Sequence, residues 1–202
     1  MSLITPREKR QARTRQEILD AAVALIGEKG PDNFSLRALA RRVDYSPAGL
    51  YEYFDGKDDI INAVCAEGDM RLQTYLKRVP GELPIAVYLV ELGLAYVDFA
   101  LNNVEHFMLM FARVPDGPLI PYAEVAANEA YGILLGAVQT AVEDGFVHVQ
   151  PHFNRDDIAY ALWSLAHGLA VMQITNLKNI DYDFAQADRA ALRAFVRGLA
   201  AA

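Results

Sequence analysis

The sequence predicts an all-α protein: an N-terminal three-helix domain with a helix-turn-helix, followed by a larger α-helical domain. Three observations carry this expectation. Apolar residues recur at spacings of three and four along most of the 202 residues. Glycine and proline gather in short breaks between those runs. Strand signals are weak, since the alternating stretch 146–150 (FVHVQ) has no evident partner. No internal repeat or low-complexity tract interrupts the pattern.

The first helix is expected over residues 7–29. Ile18, Ala22, Leu25 and Ile26 form its apolar face, and Gly30 with Pro31 stops it. Ser35 then has the right chemistry to cap a second helix, because its hydroxyl accepts a hydrogen bond from a first-turn N–H. Leu36, Leu39, Ala40 and Val43 follow at i, i+3, i+4 and i+7 and share one face. Arg37, Arg41 and Arg42 fall off that stripe, toward solvent or a polyanion. Asp44 stands where the chain must turn, and aspartate tolerates left-handed backbone better than most residues.

Ser46 and Pro47 start a short third helix, a capping hydroxyl followed by a first residue that needs no N–H partner. Leu50 and Phe54, four apart, are expected to pin it to the second helix. Pro47, Ala48, Gly49, Glu52 and Tyr53 are then left facing outward. That outward set is small where the helix begins. Small side chains let a helix N-terminus approach base edges and phosphates, whose negative charge suits the positive helix end. An ordinary helical hairpin is the alternative, but packing does not call for an outward face of Pro, Ala and Gly.

Gly56 ends the third helix. A long fourth helix over 57–77 resumes the apolar pattern with Ile60, Ile61 and Val64, and places Lys57 in its first turn, where an anionic partner is favoured. Pro80, Gly81 and Pro84 form a boundary loop. Helices are expected near 84–102, 104–113, 120–144, 155–177 and 185–200. Breaks fall at Pro115-Asp116-Gly117-Pro118, at Gly145 and at 150–154. Asn154 with Asp157 has the form of a capping box. These signals divide the chain into domains at 1–62 and 63–202.

Charge follows the same division. The net charge is −7, but residues 1–62 hold ten basic and ten acidic side chains, leaving nine basic and sixteen acidic for the rest. Arg7, Lys9, Arg10, Arg13 and Arg15 are opposed only by Glu8 in the opening segment. A basic arm ahead of a helix-turn-helix can reach phosphates or a minor groove, with a solvated, disordered N-terminus as the alternative. The single cysteine, Cys65, excludes an intramolecular disulfide framework and fits a reducing compartment. No signal-peptide pattern is visible, so a cytoplasmic location is expected. The apolar segment 85–101 contains Glu91 and Asp98 and reads as a buried helix, not a membrane span.

An enzyme is not indicated. Of the four histidines, His148 and His152 have ligand-like spacing, but Pro151 between them breaks a shared helix face. No cysteine pair, phosphate loop or G-x-S-x-G motif accompanies them, so neither a metal site nor a cofactor is expected.

Taken in order, Thr14, Arg15, Ile18, Leu19, Ala21 and Ala22 lead to Gly30, Phe34, Ser35, Leu36, Leu39 and Ala40. Those lead to Ser46, Leu50, Tyr51, Tyr53, Phe54, Lys57 and Ile60. This order and spacing, over residues 10–62, resemble the N-terminal domain of TetR-family transcriptional regulators. The resemblance implies an all-helical homodimer that binds an inverted-repeat operator in double-stranded DNA. It further implies repression until an unknown small molecule occupies the C-terminal domain. By position it implies that Arg37, Pro47 and Ala48 lie near base edges, and Ser35, Gly49, Tyr51, Tyr53 and Lys57 near the phosphate backbone. Arg15 belongs to the basic arm and Ser46 to the turn; Glu52 faces outward where an anion repels phosphate, and either accepts from a cytosine amino group or points away. Asp44 stands where the family often has Gly, and Tyr45 where it has a small aliphatic residue. Trp163, His167 and Gly168 resemble the Trp-His-Gly signature of one subclass of TetR C-terminal domains.

In the second domain, Ile158, Leu162, Leu165, Leu169 and Met172 alternate spacings of four and three. Leu192, Phe195, Val196 and Leu199 repeat the idea in the last helix. Two such seams suggest a four-helix interface between two copies, with intramolecular packing as the alternative. Arg189, Arg193 and Arg197 form a stripe read as a solvated face. Another face of the helix over 155–177 carries Tyr160, Trp163 and His167. With Tyr96, Phe99, His106, Met110, Phe111 and Tyr131 these are candidates for lining an effector pocket. Phe107 and Tyr122 are further candidates, with core packing as the alternative for each of these residues, and Arg113 either pairs with an anionic effector or is an exposed helix-end residue.

Overall fold

The computed structural model describes residues 5–30, 33–112, 124–125 and 127–200. Among them are nine helices: α1 (Pro6–Lys29), α2 (Leu36–Arg42), α3 (Pro47–Leu50), α4 (Lys57–Lys77), α5 (Ile85–Asn102), α6 (Val104–Ala112), α7 (Glu129–Glu143), α8 (Arg155–Ile174) and α9 (Phe184–Ala200). The described residues contain no strand. The alternating 146–150 stretch yields only an isolated bridge between Gln150 and Phe153. Pro31, Arg113, Tyr122 and the break expected at 115–118 lie outside the described residues, as do residues 120–123 and 126 of the helix expected over 120–144, which is helical from Glu129.

The helix ends follow from local chemistry. Thr5 and Glu8 form a capping box at the start of α1, with Glu8 Oε2 accepting from the Thr5 backbone N–H at 2.7 Å. That bond, then the Thr5 hydroxyl, holds the Glu8 carboxyl below its usual range. Gly30 closes α1 with φ +77. Asn154 and Asp157 form the expected capping box on α8, in which Asp157 Oδ2 accepts from Asn154 N–H at 2.8 Å. α8 ends at Ile174, three residues short of the sequence expectation.

The chain forms two compact units. The first runs up to Gly68 and adds the segment that begins at Glu105. The sequence-based boundary at 62 assigned that segment to the second domain. Its core gathers Ile18, Leu19, Ala22, Leu25 and Ile26 from α1, Leu39 and Ala40 from α2, and Leu50 and Phe54 from around α3. Ile60, Ile61 and Val64 come from α4, and Leu109 from α6. A fully buried side chain of this kind contributes roughly 1.5–3 kcal/mol, so α3, with only four residues, is held by Leu50 and Phe54 and not by its own helical bonds.

In the second unit α5 is central and packs against α7, α8 and α9. By length and composition alone α5 could cross a bilayer. Its Leu89, Val90, Leu92, Val97, Phe99 and Ala100 are instead buried in the unit. Gly93 lets α9 approach, because a Cβ there would lie 2.7 Å from Leu192 Cδ2. Asn103 closes α5: its Nδ2 donates to Phe99 O at 2.9 Å and its Oδ1 accepts from Arg71 Nη1 at 3.1 Å. On α9 the buried Asp188 accepts from Gln173 of α8 at 2.8 Å, and burial raises its carboxyl pKa despite that bond.

Candidate nucleic-acid interface and effector region

The turn between α2 and α3 is built as the residue types require. Ser35 Oγ accepts from Ala38 N–H at 3.3 Å and Ser46 Oγ from Gly49 N–H at 3.0 Å, capping the two helices. Asp44 between them has φ +55 and is the one described non-glycine residue with positive φ. α3 continues for one further turn through i→i+3 bonds, such as Tyr53 N–H to Leu50 O at 3.0 Å. Leu50 and Phe54 point inward, 1% and 3% exposed.

Pro47 and Ala48 are exposed, and so are Arg37, Ser46 and Glu52. Tyr51 stands 58% exposed beside them. Two of the residues expected to face outward do so only in part. Gly49 is half-buried beneath Tyr45: a Cβ at 49 would lie 3.2 Å from Tyr45 Cδ1. Tyr53 is also half-buried, edge-on to Tyr45 with ring centroids 6.1 Å apart. A hydrogen bond with Tyr45 is the first cause raising the Tyr53 phenol pKa. The small residue at 49 therefore has an intramolecular reason in the large one at 45. The sequence offered that signal in Tyr45 itself.

Two cations flank the tip. The Arg15 guanidinium sits 4.5 Å from the centroid of Phe54, and Lys57 Nζ lies 5.9 Å from that of Phe34. Both are held on core rings while keeping a charged end outside. Arg42 is engaged with Glu28 at 2.8 Å. The exposed surface around Pro47 and Ala48 thus combines small side chains, hydroxyls and cations, which suit a polyanion, with the carboxylates of Asp44 and Glu52.

The candidate pocket residues separate. In the second unit four of them form a polar aromatic cluster. Tyr96 Oη lies 2.9 Å from His167 Nδ1, Trp163 Nε1 donates to the same oxygen at 3.3 Å, and the Tyr131 ring is 5.3 Å from Trp163. Burial raises the Tyr96 phenol pKa and lowers that of His167. Phe99 is fully buried with its ring 5.8 Å from Tyr75, a packing role. Tyr160 is 60% exposed and does not share the inward face of Trp163 and His167. His106, Met110 and Phe111 belong to the first unit. There His106 Nε2 is 3.9 Å from Glu67, and Met110 covers Gly68.

The expected intersubunit seams are also partly spent within the chain. Leu162, Leu192, Val196 and Leu199 are buried in a single chain. Leu165, Leu169 and Phe195 are half-buried, and Met172 is 46% exposed. A different line of α8 is open: Tyr160, Ser164, Gly168 and Met172 at spacings of four. Ala190, Ala194 and Gly198 do the same on α9. The arginine stripe is not wholly solvated either, since Arg189 pairs with Glu91 of α5. Among the described residues no group of three His, Cys, Asp or Glu side chains could hold a metal ion.

Residues 18–64 match the family model described as bacterial regulatory proteins, tetR family. Residues 89–197 match the model of the tetracyclin repressor-like C-terminal domain. Over 188 residues, 92% of each chain, the sequence is 24% identical to the uncharacterized HTH-type transcriptional regulator YobS of Bacillus subtilis (strain 168). A protein of unknown function from Rhodococcus sp. RHA1 has a similar structure, with a TM-score of 0.76, 25% identity, and 93% of this chain and 95% of that one covered. AibR in complex with isovaleryl coenzyme A and operator DNA shares the fold at 14% identity, with a TM-score of 0.72 over 91% of this chain and 98% of that one.

Proposed function

The chain belongs to the tetR family of bacterial regulatory proteins, a DNA-binding transcriptional regulator, and we propose that it is a homodimeric repressor released from its operator by a small molecule. The observation that carries the reading is the exposed tip of α3. Pro47 and Ala48 face solvent while Leu50 and Phe54 anchor the helix from behind. In this reading Arg37, Pro47 and Ala48 meet base edges in the major groove. Ser35, Tyr51 and Lys57 meet phosphates, Arg15 tracks the backbone, and Gly49 and Tyr53 shape the tip together with Tyr45.

The open lines of α8 and α9 support a four-helix contact with a second copy. Tyr160, Ser164, Gly168 and Met172 replace the buried leucines as the central residues of that contact. Two copies would set the recognition helices about 34–36 Å apart, one turn of DNA. The Tyr96–Trp163–His167 cluster supports an effector site in the second unit, while Gly168, the third residue of the Trp-His-Gly signature, lies on the open line of α8. The structure of AibR with isovaleryl coenzyme A and operator DNA is a precedent within the shared fold for a chain that takes both. Effector and operator would be coupled by roughly 1–3 kcal/mol, through α4, which runs from the first unit into the second. A regulator of this kind works in the cytoplasm, where its DNA is.

Substitutions test the assignment of roles. Arg37→Ala is expected to relax base preference, costing roughly 1–3 kcal/mol against the best sequence only. Lys57→Ala is expected to weaken all sequences alike and lower the salt slope by about one unit. Mobility-shift titrations across salt and sequence read both, and equal behaviour of the two variants would contradict this division between base and phosphate contacts.

A further inference from the structure

We propose that the cleft between the start of α5 and the C-terminal half of α7 is a second small-molecule site, separate from the Tyr96–Trp163–His167 cluster, and that it takes an organic cation with an apolar tail. The cleft measures about 460 Å³ and is lined by none of the cluster residues. Ligand sites commonly span roughly 300–1,000 Å³. Leu83, Ile85, Ile133 and Ala137 supply apolar wall.

Gly81 and Gly136 supply what is missing from the lining. A Cβ built on either meets nothing within 4 Å. Neither glycine is among the described ones with positive φ. Gly136 is exposed on this face of α7, where glycine is a poor helix former, and a larger side chain there would enter the cleft.

The polar end of the cleft is negative. Asp144 is the C-cap of α7, so its carboxylate coincides with the negative end of the helix dipole. Thr140 donates its hydroxyl proton to Gly136 O at 3.1 Å and presents its oxygen as an acceptor. Tyr88 adds an aromatic ring, a side-chain type that attracts ammonium groups. Among the described residues no lysine, arginine or histidine lines the cleft. A cleft of mixed lining, with apolar side chains on one wall and a carboxylate at a helix C-terminus on the other, fits an alkylammonium and disfavours an anion.

Octylammonium, titrated calorimetrically into the full chain at low salt and below its micelle concentration, is the probe. The expected result is one site per chain. Asp144→Asn should weaken binding about tenfold, while the neutral analogue octanol binds wild type and Asp144→Asn equally. Gly136→Leu, which has room and favours helix, should fold normally and lose the site. Tyr96→Phe should leave octylammonium binding unchanged. Failure of wild type to bind, undiminished binding by Gly136→Leu, or loss of binding in Tyr96→Phe would each overturn the proposal. The readout needs no DNA, so it is independent of the operator reading.

Discussion

Tyr96 Oη lies 2.9 Å from Nδ1 of His167, across the two helices α5 and α8. Trp163, which can only donate, directs its Nε1–H at the same oxygen. In the neutral tautomer that carries its proton on Nε2, His167 Nδ1 accepts the phenol proton. Burial, which lowers the His167 pKa from 6.5, favours that neutral form. Tyr96→Phe removes the shared oxygen and is expected to cost about 1–3 kcal/mol. Thermal unfolding would show the loss.

The same cluster carries a pH dependence with a defined sign. Because the folded-state pKa of His167 is depressed, the unfolded chain protonates first as pH falls. Stability from this group is thus complete above 6.5 and declines as pH drops from 6.5 toward the lower folded value. Trp163 is the sole tryptophan, and its ring centroid is 6.5 Å from that of His167. Its fluorescence is therefore expected to titrate with a midpoint below 6.5, and a midpoint above 6.5 would contradict the assignment.

Two glycines on neighbouring helices should respond oppositely to alanine. At Gly93 the new methyl would meet the Leu192 side chain, fully buried and unable to withdraw. The overpacking, typically about 1–3 kcal/mol, outweighs the helix-propensity gain of about 1 kcal/mol. At Gly136 the methyl meets nothing, so Gly136→Ala is expected to stabilise by up to about 1 kcal/mol. Denaturant unfolding of the two variants measures the contrast.

The proposed subunit contact is testable without DNA. Gly168→Arg places a long cation on the open line of α8 without entering the core, because nothing lies within 4 Å of a Cβ there. It is expected to yield a folded monomer by sedimentation with wild-type helicity. Leu162→Ala, by contrast, empties a buried position and should cost about 2–5 kcal/mol of stability within the chain. A dimer unaffected by Gly168→Arg would move the interface elsewhere.

These contrasts show what the sequence could convey. The stripe of Leu36, Leu39 and Ala40, the left-handed Asp44 and the box of Asn154 with Asp157 depend on neighbours within a few residues, and periodicity or side-chain chemistry exposes them. Leu162 and Leu192 were legible as apolar positions, but spacing carries no information about whose helix fills the facing groove. One chain uses both itself. Gly49 looked like a surface cut back for DNA because its covering ring, Tyr45, reaches it only through the fold of the turn. His106 and Met110 are pocket candidates by residue type, and their membership of the first unit depends on where α6 packs, a long-range contact that no local pattern encodes. The cleft around Gly136 is invisible in the sequence for the same reason, since a glycine inside a helix records only a cost.

The central claim, that the α3 tip reads DNA in a paired arrangement, is tested most directly by protection of intergenic DNA carrying an inverted repeat. The purified protein is expected to protect two half-sites about one helical turn apart. Affinity should fall by about 0.9 log units per log unit of salt for each phosphate contacted, and protection should survive an excess of unrelated DNA. Binding that shows no preference among sequences at any salt concentration would contradict it.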